Sequence, residues 1–116
     1  AWFDWYLEAK GNYNGKIIVL IDRYTVSAGE RAVLILKSMP NVTLVGEATN
    51  GSISTMIAQG LSNGWYCTFA PQDVIAFDGE IYESRGIPAD ILVKNTPENL
   101  AQGKDDVLER ALDMLQ

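Results

Sequence analysis

Lys16-Ile-Ile-Val-Leu-Ile21 is an uninterrupted apolar run. A strand without alternation is ordinarily buried on both faces, as in parallel sheets covered by helices. From Ser27 to Met39 the period changes. Ala32, Val33, Leu34, Ile35, Leu36 and Met39 surround the chain almost completely, which predicts a helix that is itself buried. Pro40-Asn41 ends it, and Val42-Thr-Leu-Val45 predicts a second short strand. Strand, helix and strand within about 30 residues make a βαβ unit with a right-handed crossover. Upstream, Trp2, Trp5, Tyr6 and Ala9 share one face of a short helix over Trp2 to Lys10, closed by Gly11. Such an aromatic stripe fits a core face better than a partner-docking surface.

Beyond Val45 the pattern shortens. Gly46 to Ser54 is a polar loop. Thr55 to Gln59, Trp65 to Ala70, Val74 to Phe77 and Glu80 to Tyr82 read as short strands. Asn63-Gly64 and Asp78-Gly79 are hairpin turn pairs between them. Ile91 to Val93 is a last extended segment, and Pro97 to Gly103 a connection. Lys104 to Leu115 is an amphipathic helix with Leu108, Ala111, Leu112 and Leu115 on one face and Asp105-Asp106 at its dipole-positive start. The expectation is a mixed α/β chain: a βαβ unit, then β-hairpins, then a C-terminal helix. Two parallel strands cannot cover both their faces. Further strands are therefore expected from chain outside these residues or from a partner subunit, and unpaired edges would invite self-association.

The 116 residues suit one domain. A net charge of −6 makes nucleic acid and anionic membrane poor partners. There is no His, which excludes a Ser-His-Asp triad, a Cys-His pair or a His-ligated metal built from this chain alone. The single Cys67 excludes an internal disulfide and a thiolate cluster, and within a strand it reads as a small buried hydrophobe. No cofactor or metal is implied. No apolar run reaches the roughly 18–20 residues that span a bilayer. The N-terminus has neither an initiator Met nor the basic and apolar regions of a signal peptide. A piece of something longer is expected.

The sharpest local feature is Arg23-Tyr-Thr-Val-Ser27-Ala-Gly-Glu30. Here a Ser stands after a strand and opens a helix, at the end of an α/β sheet where ligands collect. A helix N-terminus offers free N–H groups to a developing oxyanion. Nucleophilic Ser27, with the Ala28 N–H as oxyanion donor, is chemically reasonable. Ser-x-x-Glu before an apolar run is equally a capping box, with Ser27 as N-cap and Glu30 at N3. On spacing alone the cap is the commoner meaning.

Several blocks stand in register with Ser27. They are Asn41-Val-Thr-Leu-Val-Gly46-Glu-Ala-Thr49-Asn-Gly51, Leu61-Ser-Asn-Gly64-Trp, and Asp78-Gly-Glu-Ile-Tyr-Glu83-Ser-Arg-Gly86-Ile-Pro88-Ala-Asp90. With the strand before Ser27, residues 16–93 resemble the tail-specific, or C-terminal-processing, serine peptidases. Gly103 to Leu112 resembles that family's closing helix. The resemblance implies a ClpP/crotonase-like α/β fold and peptide-bond hydrolysis with Ser27 as nucleophile. It also implies an extended polypeptide substrate bound near Gly46, Thr49, Gly51 and Ser52. One branch of the family uses a Ser-Lys dyad, but Ser52 occupies the Lys position here and cannot act as an amine base. The other branch resembles tricorn protease and uses Ser, His, a second Ser and Glu. Glu83 matches its Glu, a role weighed against that of a solvent-facing hairpin carboxylate. The His, the second Ser and one oxyanion-hole Gly of that branch belong to an upstream segment. Residues 1–116 are thus expected to be the C-terminal portion of a single catalytic domain, inactive alone, since a serine hydroxyl without a base is a weak nucleophile. The other reading is a catalytically silent binding module for peptide or hydrophobic ligand, similar to interphotoreceptor retinoid-binding protein modules. Relatives are commonly exported to the periplasm or cell envelope, and the tricorn-like ones can be cytoplasmic. The resemblance favours export.

Overall fold

The computed structural model describes residues 13–116. The helix expected over Trp2 to Lys10 lies outside the described residues. The apolar run forms β1 (Ile17–Ile21), and β2 (Val42–Gly46) pairs with it in parallel, from Ile17↔Val42 to Ile21↔Gly46. Helix α1 (Ala28–Lys37) makes the crossover between them. These three elements are the expected βαβ unit.

The extended segment near residue 91 becomes a third parallel strand. Here β5 (Ile91–Leu92) pairs with β2 through Val45↔Ile91 and Gly46↔Leu92, so the sheet order is β1-β2-β5. Asp90 carries the ladder one step further. Its carboxylate accepts from the Leu44 N–H at 2.8 Å, and its own N–H donates to the Leu44 carbonyl at 2.9 Å. Central position explains why Leu44 and Val45 of β2 are both wholly buried.

Burial departs from expectation at two elements. In β1 only Ile21 is buried, and Leu20 is exposed. This strand lies at a sheet edge among the described residues, so one paired neighbour cannot cover it. Helix α1 buries Glu30, Val33 and Leu34, while Arg31 and Ala32 are exposed. It packs against a sheet only three strands wide, which covers one of its sides. The core gathers Ile21, Val33, Leu34, Leu44, Ile53, Tyr82 and Ile87.

Strands β3 (Ile57–Gly60) and β4 (Tyr66–Phe69) form an antiparallel hairpin closed at Asn63-Gly64, where Gly64 takes φ 84°. Every residue in the two strands is exposed, Cys67 included, so the expected burial of Cys67 does not hold. The expected pairing of Val74–Phe77 with Glu80–Tyr82 reduces to the single bridge Ile75↔Ile81. Asp78 at this turn reaches α1 instead, through Lys37. The connection at 97–103 contains a short helix, α2 (Pro97–Ala101), capped by Thr96 Oγ1 accepting from the Asn99 N–H. Helix α3 (Asp106–Leu115) follows, with Asp105 as its N-cap, and packs on β1 and β2. No helix among the described residues is long and apolar enough to cross a membrane.

Candidate active site

The chain leaves β1 through a tight turn. Asp22 Oδ1 accepts from the N–H groups of Tyr24 at 2.9 Å and Thr25 at 3.0 Å. Two residues later Ser27 adopts φ 54°, ψ −113°. An ordinary N-cap serine has extended backbone angles. A non-glycine residue in this region costs about 1–3 kcal/mol, and such strain gathers at functional sites. A strained serine at a sharp strand-to-helix turn is the backbone form that presents a nucleophile in α/β hydrolases. Ser27 is exposed. Its hydroxyl lies toward the Glu30 amide in capping-box arrangement without closing a cap hydrogen bond of ordinary geometry. The Ala28 N–H, first of the helix, has no acceptor among the described residues.

Glu30 holds this turn from below. It is fully buried. Oε2 accepts from the Ser27 N–H at 3.1 Å and the Ser52 N–H at 2.9 Å. Oε1 accepts from Thr49 Oγ1 and the Gly51 N–H, both at 2.6 Å. A buried carboxylate is tolerable only when its lone pairs are satisfied, and here four donors from two segments satisfy them. The loop answers with its own bonds to the turn. Asn50 N–H donates to the Thr25 carbonyl at 3.0 Å, and Ser27 N–H also donates to the Ser52 carbonyl at 3.1 Å.

The far side of the loop is bound to residues 82–87. Ile87 N–H donates to Thr49 Oγ1 at 2.7 Å, and Ser84 N–H to the Gly51 carbonyl at 2.7 Å. Glu83 Oε2 accepts from the N–H groups of Ile53 and Ser54 and from Ser54 Oγ, each at 3.0 Å. Glu83 is therefore half-buried and engaged, not a solvent-facing hairpin carboxylate. Arg31, one turn along α1 from Ser27, adds bonds from Nε to the Ile53 carbonyl and from Nη2 to Thr55 Oγ1. Between the loop and this segment the backbones approach too closely for a side chain at Gly51 or Gly86. A Cβ on Gly86 would lie 2.1 Å from the Thr49 carbonyl oxygen, and one on Gly51 would lie 2.7 Å from the Gly86 nitrogen.

The residues expected at the site thus divide. Ser27, Ala28 and Ser52 are exposed around the turn, while Gly46, Thr49 and Gly51 are buried. The polar atoms of Thr49 and Gly51 are spent inside, so these residues shape the loop and Ser52 offers its surface. Glu30, readable in sequence as a cap, proves to be the hub of the assembly. Sequence reasoning missed Ser54 altogether, and also a tether between α1 and the 78–82 turn. There the Tyr82 hydroxyl donates to Asp78 Oδ2 at 2.6 Å and Lys37 Nζ donates to it at 3.1 Å. The Tyr82 hydroxyl, above all, holds the Asp78 carboxyl down to about 2. The Asp78 bond raises Lys37, and burial pushes the Tyr82 phenol up. No group of three or more potential metal-ligating side chains occurs among the described residues.

A parallel β1-β2-β5 sheet with its crossover helix opened by a strained serine makes this a mixed α/β chain. Residues 4–93 match the model of peptidase family S41, and the chain belongs to that family, the tail-specific peptidases. Its mixed α/β architecture is that family's ClpP/crotonase-like fold. Among solved structures it resembles a candidate peptidase from Parabacteroides merdae at 30% identity and TM-score 0.82, covering 89% of this chain and 32% of that one. Tricorn protease is similar at 25% identity and TM-score 0.75, covering 87% of this chain and 10% of that one. A lipoprotein from Streptococcus agalactiae is similar at 25% identity and TM-score 0.55, covering 82% and 32%. The chain thus spans about a third of the first and a tenth of the second. No curated protein matches it.

Proposed function

We propose that this chain is the C-terminal portion of a single S41 catalytic domain and that Ser27 is its nucleophile. The observation that carries this is the strained backbone of an exposed Ser27 at the strand-to-helix turn. In the reaction Ser27 Oγ bonds to the carbonyl carbon of a polypeptide and gives its proton to a base. The base belongs to chain outside these residues, because no His occurs here and Ser52 stands where a dyad lysine would be. The carbonyl electron pair moves to oxygen, and the Ala28 N–H donates to that oxyanion. Collapse of the intermediate expels the amine, protonated by the same base, and water then releases the acyl group from Ser27.

Glu83 supports the base electrostatically from its fixed place beside the loop. The substrate lies along the exposed rim at Ser52, with Gly46, Thr49 and Gly51 shaping the loop beneath. A shallow cleft of about 330 Å³ beside the turn, lined by Asp22, Arg23 and Tyr24 among others, gives room for a side chain. The family and the lipoprotein neighbour favour an exported protein of the cell envelope. Hydrolysis of a quenched fluorescent peptide by the full-length protein tests the assignment. Ser27→Ala is expected to abolish turnover while leaving the fold intact, and turnover surviving in that variant would overturn it. Absence of turnover in the unaltered protein would favour the silent binding module.

A further inference from the structure

Glu83 uses its two oxygens differently. Oε2 takes three donors, namely the N–H groups of Ile53 and Ser54 and the Ser54 hydroxyl. Oε1 has no partner among the described residues and is not buried. One oxygen is thus locked to the loop and the other is left without a partner among the described residues. Ser54 supplies two of the three locking bonds and is itself buried.

The Ser54 hydroxyl also reaches the Gln72 carbonyl, the nearer of its two acceptors at 2.5 Å against 3.0 Å to Glu83 Oε2. A hydroxyl carries one proton, so only one acceptor receives it at a time. Ser54 and Gln72 stand at the two feet of the β3–β4 hairpin. Residues 55–70 are exposed throughout, and residues 55–72 contain no charged side chain. Ser54 therefore joins the foot of this neutral hairpin to the Glu83 carboxylate.

We propose that Ser54 is a positioning residue for the peptidase reaction, fixing Glu83 through Oε2 and coupling it to the hairpin foot at Gln72. This rests on the function proposed above. When the Gln72 carbonyl withdraws, the Ser54 proton passes wholly to Glu83 and tightens the carboxylate. With the carbonyl at 2.5 Å, as here, Glu83 shares the Ser54 proton with Gln72 and keeps its two backbone donors in full.

The test is a double-mutant cycle in the full-length protein with Ser54→Ala, Glu83→Gln and the double variant, read as kcat and KM on a peptide. Ser54→Ala is expected to lower kcat about 10-fold with KM changed less than about twofold. Because Ser54 acts through Glu83, adding Ser54→Ala to Glu83→Gln is expected to change kcat by less than about twofold. An equal loss in both backgrounds, or a change confined to KM, would overturn the inference. Should Ser54→Ala fail to fold, Ser54→Cys keeps the side-chain shape with a slightly larger, weaker donor and enters the same cycle. Unchanged kcat in Ser54→Ala beside an active parent sinks this inference alone. An inactive parent sinks the proposed function and this inference with it.

Discussion

Thr49 Oγ1 donates to Glu30 Oε1 at 2.6 Å, and both residues are buried. The same hydroxyl accepts from the Ile87 N–H at 2.7 Å. Thr49 therefore passes a hydrogen-bond chain from α1, through the loop, to the segment that carries Glu83. Thr49→Val keeps the shape and removes the hydroxyl, leaving the Ile87 N–H without its acceptor. The expected loss is about 1–3 kcal/mol, the usual cost of an unsatisfied buried donor. Chemical denaturation of the full-length protein measures it, and a loss under about 0.5 kcal/mol would contradict the chain as drawn.

Glu30→Ala goes further, because it removes the acceptor of four donors and leaves three of them, Thr49 Oγ1 and the Gly51 and Ser52 N–H groups, with none. Each buried donor left without an acceptor costs about 1–3 kcal/mol. The variant is expected to melt far below the parent and to lose activity with its fold. A Glu30→Ala protein of native stability would show that the hub is not structural.

Gly86 and Gly64 make a controlled pair. Both have positive φ, 76° and 84°. An added Cβ meets the Thr49 carbonyl at Gly86 but nothing within 4 Å at Gly64. Gly64→Ala is expected to cost only the left-handed backbone penalty, about 1–2 kcal/mol. Gly86→Ala adds a backbone clash and is expected to cost clearly more. Thermal melts of the two variants compare them directly, and equal losses would contradict the close approach.

The Asp78 tether has a defined pH window. Its carboxyl is held at about 2 rather than 3.8, so the folded state keeps it charged longer than the unfolded chain does. Stabilisation by this group is complete above about pH 4 and is lost as pH falls through about 2. Asp78→Asn is expected to abolish that step, and Tyr82→Phe to shrink it most, since the phenol is the largest cause. Titration of the Asp78 carboxyl carbon by NMR checks this. A midpoint near 4 in the unaltered protein would contradict it.

Local pattern made much of this structure legible. The apolar run of β1, the helix opened by Ser27, and the turn at Asn63-Gly64 all follow from neighbouring residues. Burial was harder, because it depends on what else covers an element; β1 and α1 are less covered than their apolar content suggests. Thr96-Pro97 carried a helix-start signal for α2 that a connection length obscured. Glu30 was visible as a capping residue, yet three of its four donors come from residues 49–52, which no local pattern links to it. Ser54 was illegible for the same reason, since its partners are Gln72 and Glu83.

Fluorophosphonate labelling tests the central claim most directly, with the full-length protein beside its Ser27→Ala variant. The unaltered protein is expected to label covalently and the variant is not. Labelling that persists in Ser27→Ala, or its absence from a folded, full-length protein, would contradict an activated nucleophile at the strained turn.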